Sequence, residues 1–356
     1  MQQKTFTLDQ LDHQLIQALQ LDGRVPFARL AQLVDVSEQT VARRFRRLRT
    51  AGVIRVLGLV SPTPLGESSW IVRIQSRPDA AVALAEALAR RPDAGWVSLT
   101  SGGSEIICVV WSRTSRQRDE LLLQRLPKTA QVNGFSAHAI LHRFDDVSGW
   151  TTGSGQLSPA QVESLLAHSI GGGARSGAAR LPAAGASSVA GESVAGESVP
   201  VPQLGPQDEL LLAELAADGR APVVRLAAIT GWPPARVHRR LEELVRSGLL
   251  YFDVDLAVQA LGFRSQAYLW LTVGAADLHA TGEALARHDV VAFAAVTTGS
   301  SNLIAAVTCR DNAHLYRYVT EELGTLKALP QVEISPILRR VKQSGSLMAN
   351  DRLTLS

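Results

Sequence analysis

Residues Ser37–Ile54 read SEQTVARRFRRLRTAGVI. Five arginines crowd into this stretch, yet Val41, Phe45 and Leu48 recur at the spacing of one helical face. On a wheel of about 100° per residue, these three apolar residues point one way. Gln39, Arg43, Arg46 and Thr50 point the other way, with Ala42 and Arg47 on the flanks. Ser37 stands where a hydroxyl can accept from the free N–H groups of a first helical turn. A helix that buries one face and crowds cations on the other suits the major groove of DNA. Arginine and glutamine bond base edges there, and arginine also meets phosphates. The helix N-terminus adds its own attraction for phosphate. A basic helical face taken alone is as readily plain solvated surface, so the flanking sequence decides.

Upstream, Leu11, Leu15, Ile16 and Leu19 form one apolar helical face, and Asp22-Gly23-Arg24 stops that helix. A second helix is expected from about Pro26 to Val34, with Asp35-Val36 as a short turn. Three short helices with a tight turn before the last make a helix-turn-helix domain. In it we expect Ser37, Gln39, Thr40, Arg43, Arg46 and Arg47 to meet DNA. Arg44 lies nearer the buried side, and Asp12 offers it a partner, so an internal ion pair or phosphate positioning suits it better than base readout.

A paler copy, PPARVHRRLEELVRSGLL, returns at Pro233–Leu250. Asp12 falls on Asp208, Asp22-Gly23-Arg24 on Asp218-Gly219-Arg220, Arg43-Arg44 on Arg239-Arg240, and Leu65-Gly66 on Leu261-Gly262, at a constant offset of 196. Val97–Arg113 matches Ala294–Arg310 at an offset of 197. The chain is therefore a duplication. The second copy buries Val237, Leu241 and Leu244 and turns out Ala235, Arg239, Glu242 and Arg246. Arg236, Arg239 and Arg240 are its candidate DNA contacts. Glu242 and Glu243 would face phosphates unfavourably, and Asp253 and Asp255 stand near the position of Arg55. The first copy is expected to dominate DNA affinity.

Between the copies, Gly171–Pro202 is rich in Gly, Ala and Ser and carries a tandem VAGES. It reads as a flexible tether. Just before it, Ser158-Pro159 opens a short helix carrying Val162, Leu165, Leu166 and Ile170. The chain of 356 residues is 46% hydrophobic and 19% charged, with a formal net charge of only +3. Any nucleic-acid contact must then come from local clusters rather than overall charge. Cys108 and Cys309 are isolated in apolar runs and read as buried thiols; neither a disulfide framework nor a metal site follows. With no apolar leader or span in view, a cytoplasmic protein without membrane contact is expected.

After each helical unit the period changes. The first half reads as strand SSWIVRIQS, helix Asp79–Arg90, strands GWVSLT and EIICVVWS, helix Arg116–Leu126 and strand FSAHAILHRF. That order, β-α-β-β-α-β, is the ferredoxin-like pattern. The second half repeats it. The fold class is α+β: a winged-helix-type helix-turn-helix domain plus a ferredoxin-like domain, duplicated. The expected boundaries are 1–60, 66–146, a linker at 147–203, 204–256 and 262–345. The loops Thr100-Ser101-Gly102-Gly103-Ser104-Glu105 and Thr297-Thr298-Gly299-Ser300-Ser301-Asn302 bring small residues and hydroxyls together, which suits close approach to a ligand as well as a plain turn.

The DGR before Val25-Pro26, the run LAQLVDVSEQTVARRFRRLRTAGVI, Leu65-Gly66 and the four-stranded units resemble the Lrp/AsnC family of bacterial transcription regulators. The resemblance covers both halves, nearly everything except the tether. It implies DNA binding, and self-association and sensing of a small effector, often an amino acid, through the ferredoxin-like domains. It places effector contacts at Thr100, Ser101, Gly102, Gly103, Glu105, Thr298, Gly299, Ser300 and Asn302. Family members tend to carry Asp where this chain has Glu105 and Asn302, so amino-acid binding by the second half is in question. Two copies in one chain suggest an internal pseudo-dimer with two unlike reading heads and an asymmetric operator. Two alternatives stand beside this. One is a tetrapyrrole decarboxylase of similar architecture, for which His138 and His142, four apart on one strand and so expected on one face, are the candidates. The other is an effector-binding protein that has lost DNA contact. No catalytic residue, metal site or cofactor is expected.

Overall fold

The structure, a computed structural model, describes residues 7–61, 63–65, 68–112, 114–144, 155–167, 202–326 and 329–354. The expected tether lies outside the described residues, apart from Pro202.

The chain begins with α1 (Gln10–Leu21), α2 (Phe27–Leu33) and α3 (Glu38–Thr50). Asp9 and Asp12 form a capping box on α1, and the Ser37 hydroxyl caps α3 by accepting from Thr40 N–H at 3.2 Å. Leu15, Ile16, Leu19, Leu30, Val41, Phe45 and Leu48 close a common core. β1 (Ile54–Val60) follows, then β2 (Ser68–Ser76), α4 (Ala81–Ala89), β3 (Ala94–Thr100), β4 (Glu105–Ser112), α5 (Ser115–Asp119, wider-wound to Arg125) and β5 (Val132–Arg143). α6 (Pro159–Leu166) is capped by Ser158 and packs Leu165 against the first helical core; Ile170 lies outside the described residues. The second half gives α7 (Pro206–Ala217), α8 (Val223–Thr230), α9 (Pro234–Arg246), β6 (Leu250–Leu256), β7 (Ser265–Thr272), α10 (Leu278–Ala286), β8 (Val291–Thr297), β9 (Leu303–Cys309), α11 (Asn312–Arg317) and β10 (Gln331–Arg340). A short hairpin, β11 (Met348–Ala349) with β12 (Arg352–Leu353), closes the described chain and docks Leu353 N–H on the Gly52 carbonyl at 2.9 Å.

The two halves interlock. β5 pairs with β2 over its first part and crosses to β8 over its last; β10 does the same from β7 to β3. The product is a closed eight-stranded barrel, β10-β3-β4-β2-β5-β8-β9-β7. Closure leaves no free sheet edge. Ile71, Ile107, Val109, Ile140, Trp270, Phe293 and Ile304 fill its interior. The chain is thus its own pseudo-dimer.

The wing expected in each helix-turn-helix domain is instead shared. β1 pairs antiparallel with β6, from Ile54↔Leu256 to Val60↔Leu250. Each half supplies one strand only before the chain leaves for the barrel, so the copy is the available partner. Gly219 N–H donates to the Val56 carbonyl at 2.8 Å. A Cβ on Gly219 would meet the Leu57 backbone at 2.7 Å, so glycine is required at that crossing.

His138 and His142 do not share a face. β5 shifts register between Ile140 and His142, which inverts the inward-outward alternation. His138 lies by Trp270 in the barrel, whereas His142 packs on Phe144 and His279 outside it. Cys108 and Cys309 are buried free thiols, each pushed up to about 12 by burial and therefore unreactive. Among the described residues no helix is long and apolar enough to cross a membrane.

Candidate nucleic-acid interface and effector loops

α3 keeps its greasy face inward and leaves Ser37, Gln39, Arg43, Arg46 and Arg47 exposed, with Thr40 half-buried at the cap. The arginines divide by partner. Arg44 donates to Asp9 at 2.6 Å and to Asp12 at 3.4 Å, and Arg47 also pairs with Asp12, whose side chain is fully buried. Arg49 reaches Asp218 of the second helical unit at 3.0 Å. Arg43 and Arg46 make no ion pair among the described residues and stand free on the outer face. The internal pair expected for Arg44 is present, and Arg47 joins it; α1 thereby fixes the pitch of α3.

In the second unit Arg240 is bidentate on Asp208, at 2.7 and 2.8 Å, and also pairs with Glu243 at 2.8 Å. Its role is internal, like that of Arg44. Arg236 stacks on Trp232, 4.6 Å from the ring centroid. Arg239 is exposed, and the Glu242 carboxylate 3.8 Å from Arg246 offsets its cation. Pro233 occupies the cap of α9 and offers no side-chain acceptor. The second outer face is thus shorter of free cations than the first.

The two units are held in one relative pose. Arg24 donates to the carbonyls of Gly219 and Ala221 at 2.6 and 3.2 Å; Arg220 returns to Gly23 and Val25 at 2.7 and 2.9 Å. Arg220 also lies over Phe27, 4.4 Å from the ring centroid. Burial pushes the Arg220 guanidinium down to about 10, which leaves it charged at neutral pH. The DGR triplet, legible in sequence only as a helix stop, is this reciprocal clamp. A repeated arginine after a helix-stopping glycine was the one signal that could have disclosed it.

The two loops expected to meet an effector differ. In the first, Glu105 is buried and accepts from Arg73 at 2.7 Å, Thr100 at 2.9 Å and Ser101 at 3.1 Å. Arg73 also binds Glu333 of β10 at 2.5 Å and lies over Trp270 at 4.4 Å, so this cluster joins both halves. These carboxylates hold the Arg73 guanidinium above its usual range against the opposing effect of burial, and Arg73 holds Glu333 below the usual carboxylate range. Gly102 and Gly103 take φ of 69° and 90°, which glycine adopts freely. Arg73, Gln75, Ser101, Ser104, Glu105 and Asn133 line an open groove of about 350 Å³. Arg73, Gln75, Asn133 and Glu333 belong to strands and gave no local motif in sequence.

The second loop is engaged from within. Asn302 pairs both ends of its amide with the Val273 backbone, at 2.9 and 2.7 Å. Thr298 accepts from Ala139 N–H through its hydroxyl at 2.9 Å, and its carbonyl meets His138 Nδ1 at 2.8 Å. Ser300 is exposed and gives its carbonyl to Thr272 at 3.2 Å. The expectation that Thr298, Gly299 and Asn302 contact an effector is therefore corrected: β5 of the first half engages the Thr298 hydroxyl and carbonyl and sets His138 against Gly299, and Val273 of the second half takes the Asn302 amide. Within the described residues no cluster of three or more potential ligands could hold a metal ion.

The family model of the AsnC-type helix-turn-helix domain matches residues 8–49 and 206–245, and that of the Lrp/AsnC ligand binding domain matches 266–347. An uncharacterised HTH-type transcriptional regulator of Pyrococcus abyssi is 28% identical over 123 residues, 34% of this chain and 78% of that protein. The HTH-type transcriptional regulator LrpA of the same organism is 26% identical over 138 residues, 38% of this chain and 98% of LrpA. Over whole chains, the siroheme decarboxylase NirDL superposes with a TM-score of 0.59 at 13% identity, covering 96% of each. At that identity the likeness is one of fold.

Proposed function

Since the chain is a tandem member of the Lrp/AsnC family of transcription regulators, we propose that it reads an asymmetric DNA site with α3 as the dominant head and α9 as a weaker one. The observation that carries this reading is the free pair Arg43 and Arg46. They stand outward on a capped helix whose neighbouring arginines are tied down by Asp12. Gln39 and Thr40 would add contacts at the helix start, and Arg236 and Arg239 would serve the second half-site. The clamp between the units would fix the half-site spacing.

The effector groove lies at the first loop. Glu105 and Glu333 share the one cation Arg73, which leaves a net negative charge beside Ser101 and Ser104. That balance suits the ammonium end of an amino acid, with the loop N–H groups of Gly102 and Gly103 available to its carboxylate. The protein acts as a non-enzymatic, cytoplasmic regulator in this reading. His138 is already engaged by Thr298 and Ser136.

Footprinting of the full chain on its own upstream region and on genomic fragments, with and without amino acids, tests the reading. Unequal protection of two half-sites, altered by an amino acid, is the expected result. Equal protection of a perfect palindrome contradicts it.

A further inference from the structure

The barrel interior holds a cavity of about 40 Å³, room for about three water molecules. Ile71, Val109, Tyr268, Phe293 and Trp96 give it apolar and aromatic walls, and Arg340 contributes its charged group. The strand geometry explains how a guanidinium comes to lie there. β10 shifts register against β3 between Ile337 and Arg339. Ile337 packs in the barrel and Leu338 is exposed; the extra residue then turns Arg340 inward.

Arg340 is 9% exposed. One terminal nitrogen donates to Gln266 at 3.2 Å, and the guanidinium lies 5.2 Å from the Trp96 ring centroid. Its Nε–H has no acceptor, and among the described residues no carboxylate pairs with it. A buried guanidinium without a counter-charge is strongly disfavoured. The copy of Arg340 is Arg143, turned inward by the matching shift in β5 and lying over Phe293. That end of the barrel has the carboxyl of Asp253 within electrostatic reach of Arg143. At the duplicate position, 196 residues earlier, stands Leu57. The duplication therefore left one inward arginine with a carboxyl neighbour and the other without.

Trp96 sits on a bulge of β3 with φ of 53°. A bulky residue holds that backbone only where its surroundings enforce it, and such strain collects at ligand clamps. Here it sets the indole beside the unpaired guanidinium.

We propose that this cavity binds a small monocarboxylate with a tail of one or two carbons, its carboxylate on the Arg340 fork and its tail against Trp96 and Phe293. A planar carboxylate matches the guanidinium edge; Gln266, Thr308 and Gln343 add polar groups, and the mainly apolar rest of the wall suits a hydrocarbon tail better than a hydrated inorganic anion. The cavity shares no lining residue with the groove at Glu105. It is a second site, and its occupancy does not depend on the DNA-binding reading.

The test uses the full chain without DNA, titrated with acetate, propionate and pyruvate at constant ionic strength in chloride, and read by calorimetry and tryptophan fluorescence. So small a ligand is expected to bind with Kd on the order of 1 mM. Binding should weaken by about tenfold or more in Arg340→Met. Ala306→Val fills the cavity from β9, two strands from β10, without altering the arginine and should weaken it similarly. No saturable signal with any of the three acids, an undiminished signal in both cavity variants, or competition by chloride on equal terms overturns the proposal. If Arg340→Met does not fold, Ala306→Val decides.

Discussion

The imidazole of His138, from the first half, fills the space that a Cβ on Gly299 would need: the two would lie 2.4 Å apart at Nδ1. Gly299 also takes φ of 111°, a region closed to other residues. Its copy Gly102 has φ of 69° and nothing within 4 Å of a Cβ. Gly299→Ala should therefore cost about 2–3 kcal/mol of stability, against about 1 kcal/mol for Gly102→Ala. Urea unfolding of the two variants checks this, and equal losses would show that the second loop is as open as the first.

Asp12 anchors Arg44 and Arg47 from a fully buried position. Removing it leaves guanidinium groups without their partner and α3 without its fixed pitch. Asp12→Ala should cost about 3 kcal/mol and weaken DNA binding strongly. Asp208→Ala, which frees Arg240, should cost a similar amount of stability with a smaller loss of DNA affinity. Paired denaturation and anisotropy titrations compare them; equal DNA losses would refute the ranking of the heads.

Arg24 and Arg220 each satisfy two carbonyls of the opposite unit. Arg220→Met should cost about 2–3 kcal/mol, because it leaves buried carbonyls unpaired. It should also loosen the preference for one half-site spacing. Binding to operators lengthened by one to five base pairs reads this out. A variant with undiminished spacing selectivity would show that the β1–β6 ribbon suffices to hold the heads.

Asp253 is pushed up to about 7, first by burial and then by the charge of Asp255, against hydrogen bonds from Val254 N–H and Ser344. Unfolded, it titrates near ~3.9. The folded chain therefore keeps a proton that the unfolded chain releases over this interval. Its contribution is fully present below about pH 4 and is lost as pH rises to about 7, by up to about 1.4 kcal/mol per pH unit. Asp255, also raised by burial, acts in the same sense. Asp253→Asn should be more stable than the parent at pH 8 and close to it at pH 4. Urea midpoints at the two pH values decide, and a loss of equal size at both would contradict the assignment.

Local periodicity was enough to reveal the helices and their caps. Val41, Phe45 and Leu48 mark the buried face of α3, Ser37 its start, and Arg44 with Asp12 an ion pair. The duplication was legible because side-chain identities recur at one offset. What stayed hidden was set by contacts between the copies. No spacing within one half shows that β1 pairs with β6, or that Arg24 reaches Gly219. His138 and His142 were expected on one face because strand alternation was assumed unbroken; the register shift after Ile140, imposed by the crossing from β2 to β8, separates them. The loops were half legible. Glu105 lies where expected, but its partners Arg73 and Glu333 come from strands distant in sequence, and Asn302 had no local mark of its bond to Val273.

The central claim is that α3 reads DNA through its two unpaired arginines. Anisotropy titration of the full chain on a footprinted fragment, across a range of salt, tests it most directly with Arg43→Ala/Arg46→Ala beside Arg239→Ala. The double variant should lose about 2–5 kcal/mol of specific binding and lower the salt slope by about 2, whereas Arg239→Ala should lose less than about 1 kcal/mol. Parent-like binding by the double variant, or equal losses in both, would contradict the account.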